Sequence, residues 1–311
     1  MRALFLRFLP VIFAIWFASV ASLPAQAAPD KIDFQRIYEF ARLSAAAYRG
    51  ADAIRGARPG VSWIATPGHT DVQYFIEIDH ARRTQIIAER GTVDGTNWDL
   101  DIDTRGIVDK KAGILMHAGF HAAARVIYKD LKPHLRPGYA TYLTGHSLGG
   151  AVAGIVAIYL RDDKVRLAGI YTFGQPKFTN AAGARAYRDL PLLRVIFQND
   201  VVATLPDHTR KNGRYYAHIG PAINLLSGPH YLYIDAEQSL RLSQGAIRKF
   251  FGQISVPDHK MKYYLKSLRQ KLDGARRVSF KDRSKHIVRR RPIGWGKQEP
   301  FKRKFNFNPH R

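Results

Sequence analysis

The spacing of apolar and polar residues divides the chain into helix-like and strand-like segments. Apolar residues recur at helical spacing over 34–48 and then fall into three short strand-like runs at 61–66, 72–78 and 84–89. Further along, strand-like and helix-like segments alternate, with helices predicted at 119–131, 148–160 and 181–190 and strands at 139–144, 167–173 and 192–198. This alternation predicts an α/β fold with a mostly parallel central sheet and helices on both faces.

The N-terminal end has the pattern of a targeting segment. Arg2 and Arg7 precede an apolar run over 8–23, and the small residues of the Ala-Gln-Ala sequence at 25–27 suit cleavage by a signal peptidase. The run is shorter than the ~20 residues that span a bilayer, so residues 1–27 are interpreted as a secretory signal peptide, with an uncleaved anchor as the alternative. Either interpretation predicts a secreted or periplasmic protein. The absence of cysteine excludes the small disulfide-rich class of secreted proteins.

Positive charge is concentrated at the C-terminal end. The chain of 311 residues has a formal net charge of +24, and residues 274–311 contain 13 Lys and Arg against two Asp and Glu. This segment has no sustained apolar period, which predicts an extended, self-repelling tail that follows a single domain at 28–273. We interpret the tail as solvated chain or as a segment that binds an anionic membrane surface. Specific nucleic-acid binding is not expected of an exported protein.

Ser147 lies in a Gly-x-Ser-x-Gly pattern between a predicted strand and a predicted helix. The pattern alone is weak, because Gly and Ser each make up about 7% of ordinary sequence. Its position at a strand-to-helix junction is more informative. A serine nucleophile held on such a tight turn needs small residues two positions before and after it, where side chains would strike the strand and the helix. Gly145 and Gly149 meet this requirement, so Ser147 is predicted to be the nucleophile.

A serine hydroxyl becomes reactive when a histidine removes its proton and a carboxylate orients that histidine. On an elbow of this kind the acid and the base follow the serine along the chain. Asp200 comes directly after the strand predicted at 192–198 and is the predicted acid. Asp207, beyond Pro206, is the second candidate.

Chain order leaves three of the twelve histidines as strong candidates for the base. His259 is preferred because it lies just before the last predicted helix, for which Asp258 is the expected N-cap. His230 is the alternative, and His218 is interpreted as a packed residue beside the acid loop.

Negative charge on the reaction intermediate needs hydrogen-bond donors. The backbone N–H of Leu148, directly after the nucleophile, is one predicted donor. Thr92, in the loop after the strand predicted at 84–89, is the other, through its N–H and its hydroxyl.

Seven segments between residues 85 and 268 together resemble the class 3 lipases, the fungal-lipase-like branch of the α/β-hydrolases. In chain order they are IIAERGT, HAGFHAAA, LTGHSLGGAVA, YTFGQPKFTN, NDVVATLP, YAHIGP and DHKMKYYLKSL. The resemblance implies an α/β-hydrolase fold and hydrolysis of carboxylic esters of acylglycerols or related lipids, without a metal or an organic cofactor. Phospholipase A-type or acyltransferase activity with the same triad is the alternative, and a non-catalytic surface-binding protein is the non-enzyme alternative. The basic tail is no part of the family pattern.

The segment at 93–116 departs from long-chain lipases of this family. Asp99, Asp101 and Asp103 alternate with apolar residues, but the Gly and Glu of an EF-hand loop are absent, so no calcium site is predicted. The alternation has period two rather than 3.6. A lid helix, and with it strong interfacial activation, is therefore not expected.

Overall fold

The structure is a computed structural model that describes residues 29, 31–68, 70–92, 105–206, 216–244 and 257–288. The predicted signal peptide, the Asp99–Asp103 segment and Asp207 lie outside these residues. The described helices are α1 Phe34–Ala46, α2 Ala51–Ala57, α3 Ala118–Leu131, α4 Leu148–Asp162, α5 Ala181–Ala186, α6 Ala236–Gln244 and α7 Met261–Leu272. The described strands are β1 Val61–Ala65, β2 Tyr74–Asp79, β3 Thr84–Glu89, β4 Gly106–Val108, β5 Leu115–His117, β6 Ala140–His146, β7 Leu167–Phe173, β8 Thr179–Asn180, β9 Leu192–Phe197, β10 Tyr216–Ala217, β11 Ala222–Leu225, β12 His230–Ile234 and β13 Arg276–Arg277.

Nine of these strands form one sheet in the order β1-β2-β3-β6-β7-β9-β11-β12-β13. The five central strands are parallel to one another: β3, β6, β7, β9 and β11. Antiparallel pairs flank them at β1-β2, β2-β3 and β11-β12. A smaller antiparallel sheet has the order β10-β8-β5-β4. Because the carboxyl ends of parallel strands share one edge, the segments after β3, β6, β7 and β9 meet there.

Helices cover both faces of the large sheet, as the alternation of segments predicts. On one face α3 and α4 pack together, and α4 is buried along nearly its whole length between α3 and the sheet. On the other face α1 packs against α7. The side chains of β2 alternate between the two cores: Tyr74, Ile76 and Ile78 face α3 and α4, and Phe75 faces the α1 side. This period of two is the one expected of a strand covered on both faces.

The folded part of the chain continues beyond the boundary predicted at 273. Strand β13 pairs with the end of β12, and Val278, Phe280 and Ile287 pack on a small apolar cluster that includes Ile196 of β9. Residues 276–288 are therefore part of the domain, and the prediction that the tail starts at 274 is wrong. The reason is that a two-residue strand and three scattered apolar side chains leave no period in the sequence. Residues 289–311 lie outside the described residues.

Within the described ranges, no helix has both the length and the apolar character needed to cross a membrane.

Candidate active site

Ser147 occupies a sharp turn between β6 and α4. Its backbone has φ +61° and ψ −130°, a region that residues with a side chain rarely adopt and that the surrounding structure must hold in place. A Cβ added to Gly145 would lie 2.3 Å from the carbonyl oxygen of Gly149, and one added to Gly149 would lie 2.5 Å from that of Glu89. The two glycines therefore allow β6, α4 and the end of β3 to approach each other. This is the strand–turn–helix geometry expected of a nucleophile elbow.

Asp200 and His259 are hydrogen-bonded to each other at the same edge of the sheet. The distance from His259 Nδ1 to Asp200 Oδ2 is 2.8 Å, and both side chains are buried. Asp200 Oδ2 also accepts a hydrogen bond from the hydroxyl of Tyr264, and its Oδ1 accepts one from the N–H of Val202 at 2.9 Å. Gly174 closes the space behind the pair, since an added Cβ would lie 2.7 Å from the carboxylate oxygen. The carboxylate is thus fixed by three donors.

These contacts decide which nitrogen of His259 can act as a base. An ionised carboxylate only accepts hydrogen bonds, so Nδ1 carries the hydrogen that is donated to Asp200. In the neutral ring Nε2 is then the acceptor. This is the form of histidine that can take a proton from a serine hydroxyl.

The sequence predicted that Asp258 caps the last helix, but in the structure it does not. Residues Pro257–His259 form a single 3₁₀ turn, and α7 begins at Met261 with Lys260 at its N-cap position. The carboxylate of Asp258 instead accepts a hydrogen bond from the N–H of Asn199 at 3.4 Å. The turn that holds His259 is therefore bonded to the loop that holds Asp200.

A second hydrogen-bond chain joins three segments around Ser147, and sequence reasoning missed it. The N–H of Gly91 donates to the Tyr48 hydroxyl at 3.2 Å, and this hydroxyl lies 2.7 Å from Nδ1 of His146. Nε2 of His146 lies 2.8 Å from the carbonyl oxygen of His259, so it carries the ring hydrogen. Burial and the neighbouring His259 hold the pKa of His146 well below its usual range, so the ring is neutral.

The two predicted oxyanion donors belong to segments that meet at Ser147. A Cβ added to Gly91 would lie 2.9 Å from Cβ of Ser147, so the loop after β3 passes directly against the elbow and Thr92 follows at once. Leu148 is the first residue of α4. Its N–H is one of the groups at a helix N-terminus that lack an acceptor within the helix, and the helix dipole there favours negative charge.

The alternative histidines lie elsewhere. His218 is buried and its Nε2 bonds the carbonyl of Ala203 at 2.8 Å, which makes it a packed neighbour of the acid loop. Burial and the charges of Arg194 and Lys177 lower its pKa well below the usual value. His230 begins β12 and stacks on His286 with ring centroids 3.9 Å apart. Of the three candidate histidines, His259 is the one that is hydrogen-bonded to Asp200.

Glu89, the last residue of β3, is a buried carboxyl next to the site. Its side chain is fully buried, and neither of its oxygens has a hydrogen-bond partner among the residues that the structure describes. Burial raises the pKa of this carboxyl well above its usual value. Over the described residues, no group of three or more His, Asp or Glu side chains is arranged to hold a metal ion.

Residues 86–209 match the family model described as lipase (class 3). Secreted mono- and diacylglycerol lipase 1 of Fusarium solani is 31% identical over 118 residues, which cover 36% of this chain and 35% of that protein. Secreted mono- and diacylglycerol lipase A of Penicillium cyclopium is 32% identical over 126 residues, which cover 37% of this chain and 40% of that protein. The match thus spans between a third and two fifths of the length of these curated relatives.

A solved structure of Rhizomucor miehei triacylglyceride lipase is similar with a TM-score of 0.58 at 21% identity, over 76% of this chain and 96% of that one. This likeness and the mostly parallel sheet confirm the predicted α/β-hydrolase fold. The resemblance to the class 3 lipases is confirmed as well. The segment that matches the family model includes the loop with Thr92, the turn at Ser147 and Asp200.

Proposed function

We propose that the protein is a serine ester hydrolase of the lipase and esterase type, with Ser147 as nucleophile, His259 as base and Asp200 as acid. The observation that carries the proposal is the buried Asp200–His259 hydrogen bond at the sheet edge from which the elbow of Ser147 projects. The ring of His259 also stacks on that of His146, the residue before Ser147, with centroids 4.6 Å apart. A carboxylate that orients a histidine, which in turn accepts the proton of a serine, is the arrangement that makes a hydroxyl nucleophilic.

The reaction proceeds through an acyl-serine intermediate. Nε2 of His259 accepts the Ser147 proton while the oxygen attacks the ester carbonyl, and the negative charge of Asp200 stabilises the imidazolium that forms. The N–H of Leu148 and the N–H and hydroxyl of Thr92 donate to the oxyanion. His259 then gives its proton to the leaving alcohol. Water, activated by the same histidine, releases the carboxylic acid and restores Ser147.

The substrates proposed are carboxylic esters of acylglycerols or related lipids. The match to the class 3 lipase model supports this class, as do the names of the two fungal relatives, which are mono- and diacylglycerol lipases. Both names include the word secreted, which agrees with export directed by residues 1–27. The protein is accordingly proposed to act outside the cytoplasm.

The C-terminal end is proposed to bind an anionic membrane surface, where such substrates are found. Residues 289–311 contain eight Lys and Arg against one Glu, together with four aromatic residues. Each basic residue near an anionic surface adds about 1 kcal/mol of attraction. Further exposed cations, Arg276, Arg277, Lys281 and Lys285, lie on the folded segment just before it.

Ester hydrolysis by the wild type and by Ser147→Ala tests the proposed activity. With p-nitrophenyl butyrate and monoacylglycerol as substrates, the wild type should turn over both, and the alanine variant should lose at least about a thousandfold in kcat. Phospholipid and an added alcohol acceptor distinguish hydrolysis of acylglycerols from phospholipase and acyl-transfer activity. A wild-type protein that hydrolyses none of these esters would refute the proposed enzymatic function.

A further inference from the structure

The segment at 276–288, here called the C-terminal strap, packs on the loop that carries Asp200. It enters through β13, whose pairing with β12 is extended by a hydrogen bond from the N–H of Val278 to the carbonyl of Tyr231 at 2.9 Å. It is held further along by a bond from the N–H of Ser227 to the carbonyl of His286 at 2.9 Å. Between these points the strap passes over the end of β9, which leads into Asp200.

Gln198, two residues before Asp200, has a conformation that its surroundings must maintain. Its φ is +48°, in the left-handed region that favours glycine, and its side chain is buried. The strap contacts both the side chain and the backbone of Gln198. The N–H of Val288 donates to Gln198 Oε1 at 3.0 Å, and Nη2 of Arg283 lies 3.5 Å from the Gln198 carbonyl oxygen.

Arg283 also contacts Asn199, the residue directly before Asp200. Its Nη2 donates to Oδ1 of Asn199 at 3.0 Å. The side chain is 5% exposed, and burial lowers its pKa to about 10, so it remains charged at neutral pH. A buried guanidinium is costly unless its hydrogen bonds are made. Two of the hydrogen bonds of this guanidinium end on Gln198 and Asn199, the two residues that precede Asp200.

We infer that Arg283 is a positioning residue for the triad: by fixing Gln198 and Asn199, it holds the Asp200 carboxylate in line with Nδ1 of His259. This inference rests on the proposed function. It assigns to the C-terminal end, which lies outside the segment that matches the family model, a part in catalysis through the acid loop.

The inference predicts a specific kinetic defect rather than a general loss of fold. If Asp200 shifts, His259 is less well oriented and its imidazolium is less stabilised, so the proton acceptor becomes weaker. In the full-length chain, Arg283→Met should lower kcat for p-nitrophenyl butyrate by about tenfold or more, since a misplaced catalytic group is costly. KM should change by less than about twofold, since no substrate contact is altered.

The split between kcat and KM, together with a conservative variant, separates positioning from simple destabilisation. The fall in kcat of Arg283→Met should persist at temperatures well below its unfolding midpoint, where the variant is fully folded. Arg283→Lys, which keeps a positive donor, should lie between the variant and the wild type. Arg55→Met, at an exposed position of α2 away from the strap, is the matched control and should behave as wild type.

A second variant keeps the test decisive where Arg283→Met folds poorly. Asn199→Ala removes the acceptor of the 3.0 Å bond and leaves the guanidinium in place. It should show a smaller fall in kcat, again with KM changed by less than about twofold. An active wild type whose folded Arg283 and Asn199 variants keep its kcat would overturn the inference. A wild type without esterase activity would instead refute the proposed function.

Discussion

At the scale of single residues, the buried carboxyl of Glu89 makes stability depend on pH. Burial raises its pKa in the folded protein above the value in the unfolded chain. The folded state therefore keeps a proton that the unfolded chain loses. This contribution to stability is complete below the ordinary carboxyl pKa and is lost as pH rises toward the folded value.

Replacement of Glu89 by glutamine should remove that dependence, because the amide has nearly the same shape and no proton to lose. The difference in urea midpoint between Glu89→Gln and wild type should be near zero at pH 4 and should favour the variant increasingly up to pH 8. Glu39→Gln, on the exposed side of α1, serves as the control. A difference that does not change with pH would show that Glu89 is as readily ionised in the folded protein as in the unfolded chain.

The residues that sequence reasoning placed near the site are those that have a local signal. Ser147 is marked by its glycines, and Asp200 and His259 by their positions after a strand and before a helix. Tyr48 and Arg283 have no such signal. Tyr48 meets His146 across 98 positions, and Arg283 meets Asn199 across 84. Contacts of this kind depend on the assembled fold, so neither residue could be assigned beforehand.

At the scale of elements, the elbow depends on how closely β6 and α4 approach. Gly145→Ala would bring a Cβ to 2.3 Å from the Gly149 carbonyl oxygen, and backbone atoms cannot yield as a flexible side chain can. We expect a loss of stability of about 1–3 kcal/mol from overpacking and a fall in kcat of about a hundredfold from displacement of Ser147.

Thermal unfolding and ester turnover measure the two effects. Gly56→Ala is the matched control, since a Cβ added to this residue of α2 would have no other part of the described structure within 4 Å. It should be neutral or slightly stabilising, as Ala favours a helix more than Gly. Normal turnover by Gly145→Ala would mean that the turn tolerates a side chain and that the elbow is not constrained as described.

Helices and strands could be predicted from the sequence where apolar residues recur at constant spacing over several helical turns or several strand residues. The prediction at 192–198 corresponds to β9 and the one at 167–173 to β7. The helix predicted at 181–190 ends at Ala186. The two-residue strands β8, β10 and β13 left no pattern in the sequence, because pairing with a neighbour rather than local preference creates them.

At the scale of the whole molecule, the C-terminal strap is the part of the basic end that packs into the folded domain. A chain that ends at Gly274 would lack the contacts to Gln198 and Asn199. A chain that ends at Val288 retains them, so it is the suitable partner for a comparison with the full-length protein.

Vesicles of phosphatidylcholine and phosphatidylglycerol should bind the full-length protein more tightly than the chain that ends at Val288. The difference should be large at low ionic strength and should vanish near 1 M salt, where the Debye length falls to about 3 Å. Turnover of p-nitrophenyl butyrate should be the same for both chains. Equal binding at low salt would show that residues 289–311 do not contribute to attachment.

Covalent labelling by a fluorophosphonate probe, followed by peptide mapping, is the most direct test of a serine nucleophile activated by the Asp200–His259 pair. The probe should modify the wild type at Ser147 alone. Ser147→Ala should remain unlabelled, and His259→Ala should be labelled much more slowly because the serine has lost its proton acceptor. An unlabelled wild type, or a label that persists in Ser147→Ala, would contradict the proposed chemistry.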